Sequence, residues 1–110
     1  IVEHKGSDVN KIYCTLHFPG NFGGTAVGGT RIITGATTEF HVYSCEWTAL
    51  SIKFFVDGTQ YFSFANNNTL PFNQNFFVLL NLAMGGTFGG PVDAGLTSAT
   101  YEVDYVRVYQ

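Results

Sequence analysis

Charged residues are scarce in this sequence: Asp, Glu, Lys and Arg make up 12% of its 110 residues. With only five Lys and Arg and a formal net charge of −3, no basic stripe exists to neutralise phosphates, which excludes a nucleic-acid partner. The shortage does not signal disorder, because 45% of the residues are hydrophobic, as in a packed chain. Long hydrophobic runs are lacking as well. The longest, over residues 76–84, is broken at Asn81 and falls short of a membrane span, so no membrane partner is expected. No signal peptide lies within these residues, so an export signal is expected to have been removed or to lie upstream. The length allows one domain at most. Cysteine is limited to Cys14 and Cys45, a spacing unlike any zinc site. A disulfide and two buried thiols both remain open, since a bridge needs Cα atoms within about 7 Å.

What the chain does have is aromatics, at 16%, and 13 glycines. Aromatic side chains bury large areas and also offer flat faces on which sugars stack. Strand signals dominate. Residues 11–18 alternate, with Ile12, Cys14, Leu16 and Phe18 on one face and Tyr13, Thr15 and His17 on the other. Pro19-Gly20 ends that strand, and residues 21–30 read as a glycine-rich surface loop. A second strand covers 40–47, with Tyr43, Cys45 and Trp47 sharing a core-facing side. Strands 52–56 and 60–64 flank Asp57-Gly58, a strong hairpin signal. The run 76–84 is expected to be a central strand covered on both faces. Gly85-Gly86 opens a second glycine-rich loop, and 100–109 alternates as a final strand. No helical periodicity or internal repeat is evident. The class is antiparallel all-β, and about six strands with apolar residues on both parities point to part of a sandwich whose second inner face is incomplete.

Three segments resemble one family. Ile1-Val2-Glu3 is similar to the end of an E-I-D-I-V-E motif. Phe40-His41-Val42-Tyr43, Glu46-Trp47-Thr48 and the stretch from Ile52 to Gly58 resemble its central hairpin region. Asn81-Leu82-Ala83-Met84-Gly85-Gly86 and the stretch from Val103 to Tyr109 resemble its closing segments. The family is glycoside hydrolase family 16, and the similar branch is the laminarinases, endo-β-1,3-glucanases with a jelly-roll, concanavalin A-like β-sandwich. The resemblance covers the chain and implies that residues 1–110 are the C-terminal portion of one such domain.

In the family motif E-x-D-x-x-E, the first Glu is the nucleophile, the Asp tunes the pair, and the last Glu is the acid/base. Glu3 matches the last position, and the other two carboxylates would fall before Ile1. The resemblance thus implies that this chain holds the acid/base and lacks the nucleophile, with the missing N-terminal fragment as its partner. Retention needs two carboxyl groups roughly 5–5.5 Å apart, so the chain alone is expected to be inactive. Without the motif, Glu3 reads as a solvated carboxylate at a strand end.

Other positions follow the same logic. Thr15 and His17, on the polar side of their strand, are either simply solvated or line the family's sugar cleft, as does Tyr13. Asn81 is the single polar residue in an apolar run; buried, it must satisfy backbone or bind sugar, with Ala83 leaving room for the glycan. Phe22 and Phe88, in glycine-rich loops, are candidate stacking platforms. Asp104 resembles a ligand of the family's structural calcium, an ion that prefers oxygen donors. No catalytic cofactor is implied. His4 and His41 read as structural or exposed.

The implied function is endo-hydrolysis of internal β-1,3 (or mixed β-1,3/1,4) glucan links with retention, on a secreted, periplasmic or cell-surface protein that binds β-glucan. Two other classes fit part of the pattern: a non-catalytic β-glucan-binding module of the same fold, and an immunoglobulin-like adhesion domain that folds alone.

Overall fold

The computed structural model describes all 110 residues, which divide into two compact units, Ile1–Phe76 and Phe77–Gln110. The first unit carries six strands in two antiparallel three-stranded sheets. One sheet is ordered β1 (Glu3–His4), β2 (Lys11–Leu16), β3 (Val27–Ile32). The other is ordered β4 (Tyr43–Trp47), β5 (Ser51–Val56), β6 (Thr59–Ala65). No helix is long and apolar enough to cross a membrane.

The alternation in β2 becomes its two faces. Ile12, Cys14 and Leu16 are buried, while Lys11, Tyr13 and Thr15 lie on the opposite side. In β5, Ile52, Phe54 and Val56 are buried in the same rhythm. Cys14 and Leu16 from one sheet meet Ile52, Phe54 and Phe72 in a single core, with Cys45, Tyr61, Phe62 and Phe64 packed against it. This is the two-layer sandwich that the patterning implies. Phe18, Phe64 and Phe72 close part of it, with ring centroids 5.4 to 6.0 Å apart and mostly edge-to-face.

The sheets can approach because β3 offers no side chain at one inward position. A Cβ on Gly29 would stand 2.9 Å from Phe62 of β6, closer than packed atoms tolerate. The hairpin between β5 and β6 turns at Asp57-Gly58, whose φ values of 48° and 73° make the two-residue loop that matches strand twist. A register shift between Phe54 and Phe55 leaves Tyr61 as the extra residue of a bulge. Its ring then turns into the core beside Phe62.

Cys14 and Cys45 are free thiols, the first buried and the second partly so. Burial pushes both thiol pKa values up, and the Tyr61 phenol with them. Of the two alternatives, the structure therefore has the unbridged pair.

Several expectations are corrected. Residues 27–30, part of the segment 21–30 read as a loop, belong to β3, because Gly28 and Gly29 hide the alternation. Only Tyr43–Trp47 of the segment 40–47 is strand, and Trp47 is 45% exposed, meeting Phe76 edge-to-face at 5.1 Å. Segments 76–84 and 100–109 form no strand, and their large apolar side chains are exposed: Phe77 at 82%, Leu79 at 75%, Val108 at 71%. A strand exists through its ladder, and neither segment has a hydrogen-bonded neighbour here. The second unit is instead organised by turns: a helical turn at Gly86–Gly89, the bond from Gly90 N–H to Gly86 O, and the Asp93 carboxylate accepting from Gly95 N–H.

Candidate functional site

The outward face of the first sheet gathers the polar groups. Strand register sets Glu3 directly across from Tyr13, and Thr15 directly across from Gly28. Glu3, Tyr13 and Thr15 therefore share one side of the sheet, because neighbours across a ladder and alternate residues along it point the same way. Glu3 is half-buried, and the Thr15 hydroxyl donates a hydrogen bond to its Oε2.

Gly28 keeps the space beside Thr15 bare. A Cβ there would lie 2.0 Å from the Cys14 carbonyl oxygen, so the close approach of β3 to β2 demands glycine. Next to it on the same face, Gly28, Thr30 and Ile32 are exposed. The result is an open surface with a carboxylate at its edge strand and no side chain facing Thr15 from β3.

Tyr13 is held in place. Its hydroxyl donates to Asp8 Oδ2 at 3.0 Å, and the ammonium groups of Lys5 and Lys11 each sit 5.3 Å from its ring centroid. Lys11 also pairs with Asp8 at 3.7 Å. These cation–π and ionic contacts fix the ring beside Glu3 and use Asp8 for structure.

The remaining expected residues scatter. His17 lies one residue beyond the end of β2 and is exposed. His4 bonds the Val9 carbonyl through Nε2 at 3.1 Å and is structural. Phe22 is 66% exposed at the entrance to a 3-10 turn. Asn81, Ala83, Phe88 and Asp104 belong to the second unit. Asn81 is exposed and not buried in its apolar run, so the argument from an unsatisfied buried amide does not apply to it. Asp104 is exposed within the segment 100–109, and no three His, Cys, Asp or Glu side chains converge on a metal position anywhere. One carboxylate does not supply the six to eight oxygens that calcium takes, so the side chains present do not by themselves fit the ion.

One cluster escaped the sequence reading. His41 Nδ1 meets Asp57 Oδ2 at 2.8 Å, and Asp57 Oδ1 accepts from Val42 N–H at 2.9 Å. The His41 side chain is only 10% exposed. The Asp57 carboxylate raises the His41 pKa, while the Val42 amide and His41 lower that of Asp57. The pair ties the hairpin turn to the entry of β4. Asp57-Gly58 was legible as a turn, but nothing in the spacing signals that its carboxylate reaches back to His41.

The chain is similar to known proteins along its length. The model of glycosyl hydrolases family 16 matches residues 1–107. Beta-glucanase of Rhodothermus marinus is 37% identical, over all of this chain and 43% of that protein. Glucan endo-1,3-beta-glucosidase A1 of Niallia circulans is 35% identical, over all of this chain and 18% of that protein. Among solved structures, the endo-beta-1,3-glucanase of Pyrococcus furiosus superimposes with a TM-score of 0.76 at 29% identity, covering 86% of this chain and 40% of that one. The chain thus spans less than half the length of these relatives.

Proposed function

Because this chain belongs to glycosyl hydrolases family 16, we propose that it supplies the acid/base half of an endo-acting β-glucan hydrolase cleaving internal β-1,3 or mixed β-1,3/1,4 links with retention. The observation that carries the reading is Glu3, a half-buried carboxylate on the open face of a sandwich, hydrogen-bonded by Thr15.

In the first step Glu3, protonated, gives its proton to the glycosidic oxygen as the C1–O bond breaks. A second carboxylate attacks C1 from the opposite side and forms a glycosyl-enzyme ester. Glu3, now a carboxylate, takes a proton from water, whose oxygen attacks C1 and releases the nucleophile. Two inversions leave the configuration unchanged. The attacking carboxylate belongs to the part of the domain that pairs with this chain, as the greater length of the relatives suggests. Residues 1–110 are then the C-terminal portion of one jelly-roll domain.

All three expected residues are assigned to the cleft that receives the glucan, His17 and Asn81 as sugar contacts and Thr15 on the wall beside Glu3. Calcium stays a proposal of the same kind, with Asp104 as one ligand and the other oxygens from outside this chain. A polymeric substrate too large to cross a membrane argues for a secreted, periplasmic or surface location.

The test is hydrolysis of laminarin by the full-length polypeptide that carries this sequence, with the anomer of the first product followed by NMR. Glu3→Gln is expected to lower kcat by about 10²-fold or more, the scale of general acid–base catalysis. Unchanged turnover would remove Glu3 from the chemistry. Tight binding of laminarin without any cleavage by the unmutated protein would instead identify a glucan-binding module.

A further inference from the structure

We infer that Thr15 is a positioning residue for Glu3, and that it divides the work of the carboxyl group between its two oxygens. The inference rests on the acid/base reading of Glu3 above and goes beyond it. Cleft side chains on a strand are expected to contact sugar hydroxyls directly. Here the Thr15 hydroxyl has its proton directed at Glu3 Oε2. A hydroxyl carries one proton, so while it donates to Oε2 it has none to give a sugar.

The consequence is specific to atoms. With Oε2 accepting from Thr15, the transferable proton of Glu3 resides on Oε1. Oε1 gives that proton to the glycosidic oxygen as the bond to C1 breaks, and the departing sugar leaves as an alcohol. The carboxylate that remains keeps the Thr15 bond on Oε2, and Oε1 accepts the proton of the incoming water. Proton and charge balance over the two steps, and the carboxyl group need not rotate between them.

The surroundings support a fixed pair. Thr15 and Glu3 sit on adjacent strands, with Glu3 in register with Tyr13, the next outward residue along β2. Tyr13 is itself held by Asp8 and flanked by Lys5 and Lys11. Across from Thr15 stands Gly28, where close approach to the Cys14 carbonyl excludes any side chain, so no β3 side chain competes for the hydroxyl. A β-branched residue on a strand has few χ1 options, which favours one standing orientation of the donor.

The experiment compares Thr15→Val and Thr15→Ser with the unmutated full-length protein on two substrates. One is a β-1,3-gluco-oligosaccharide, whose sugar leaving group needs a proton. The other is an aryl β-glucoside of the same length with a dinitrophenolate leaving group, which departs without one. For Thr15→Val, kcat on the oligosaccharide is expected to fall about 10- to 100-fold, part of the range general acid–base catalysis supplies, with KM nearly unchanged. The aryl substrate should lose far less, and Thr15→Ser should recover most of the oligosaccharide rate. Circular dichroism of each variant checks the fold.

Equal losses on both substrates, or a rise in KM with kcat retained, would overturn the inference and make Thr15 a sugar contact or a structural residue. No loss on either substrate overturns it too. If the unmutated protein cleaves neither substrate, the acid/base reading of Glu3 fails, and this inference with it.

Discussion

Residues Ile1–Phe76 and Phe77–Gln110 are both rich in apolar side chains, yet only the first unit buries any of them in a core. The first contains every buried hydrophobic residue of the chain, from Ile12 to Phe72. In the second, Phe77, Leu79 and Val108 are each more than 70% exposed, although residues 76–84 form the strongest apolar run of the sequence. Burial depends on neighbours as much as on composition. β2 and β5 each have a strand on both sides and a facing sheet, whereas segments 76–84 and 100–109 have no ladder in this chain.

The largest test of that contrast is a pair of truncations. Phe54→Ala should destabilise the first unit by about 3–5 kcal/mol, read from urea unfolding, because Phe54 is 3% exposed at the centre of the core. Phe77→Ala should change the same midpoint by less than about 0.5 kcal/mol. Comparable losses from the two would erase the distinction. In the full-length protein, a marked cost of Phe77→Ala would show that other segments cover this residue there.

The glycines sharpen the picture one step down. Gly29→Ala should cost about 1–3 kcal/mol by forcing Phe62 aside, and Gly28→Ala should cost more than Gly29→Ala, since its obstacle is the backbone carbonyl of Cys14. Thermal unfolding of the two variants side by side gives the order. Reversed costs would mean that β3 shifts on β2 more easily than Phe62 moves.

Thiol labelling tests the interior without a mutation. Native protein should react with a disulfide reagent far more slowly than unfolded protein at both Cys14 and Cys45, as burial disfavours the thiolate. Prompt modification of Cys14 would contradict a closed core.

The smallest effect lies at the hairpin. His41 has its pKa raised from 6.5, so its contribution is complete below that value and is lost as pH rises through the folded-state pKa. Asp57 has its pKa lowered from 3.8, so its contribution is present above that value and is lost as pH falls through the folded-state pKa. Stability should peak between these limits and decline on either side, by less than about 1 kcal/mol for so exposed a carboxylate. Asp57→Asn should flatten the alkaline decline. A decline that persists in Asp57→Asn would assign it to another group.

Much of the fold could be read from the residues, and the reasons for success and failure are physical. Strands β2 and β5 alternate cleanly because one face is core and the other is not. The Asp57-Gly58 turn was legible because only a residue pair tolerant of positive φ forms it. β3 was hidden because two of its six residues are glycines, which carry no hydropathy signal. Residues 76–84 and 100–109 have strand-like composition, but pairing is a property of the neighbours and not of the segment. Glu3 was singled out by the motif, and its bond to Thr15 follows only from the strand register. Asn81 failed as a buried amide because its run is exposed. The His41–Asp57 pair joins residues sixteen apart through a turn whose side chain could equally have faced solvent.

β1 is two residues long, and its pairing sets Glu3 opposite Tyr13 and His4 opposite Ile12. Sheets have a period of two, so sliding β1 by one residue would exchange the sides on which these two side chains stand. The carboxylate would then point toward the buried Ile12 side, and an imidazole would replace it on the open face. A single hydrogen-bonding step therefore acts as a binary setting for this face: in one phase the strand presents a carboxyl group, in the other an imidazole with a different reach. Whatever lengthens or braces that short ladder also keeps the phase.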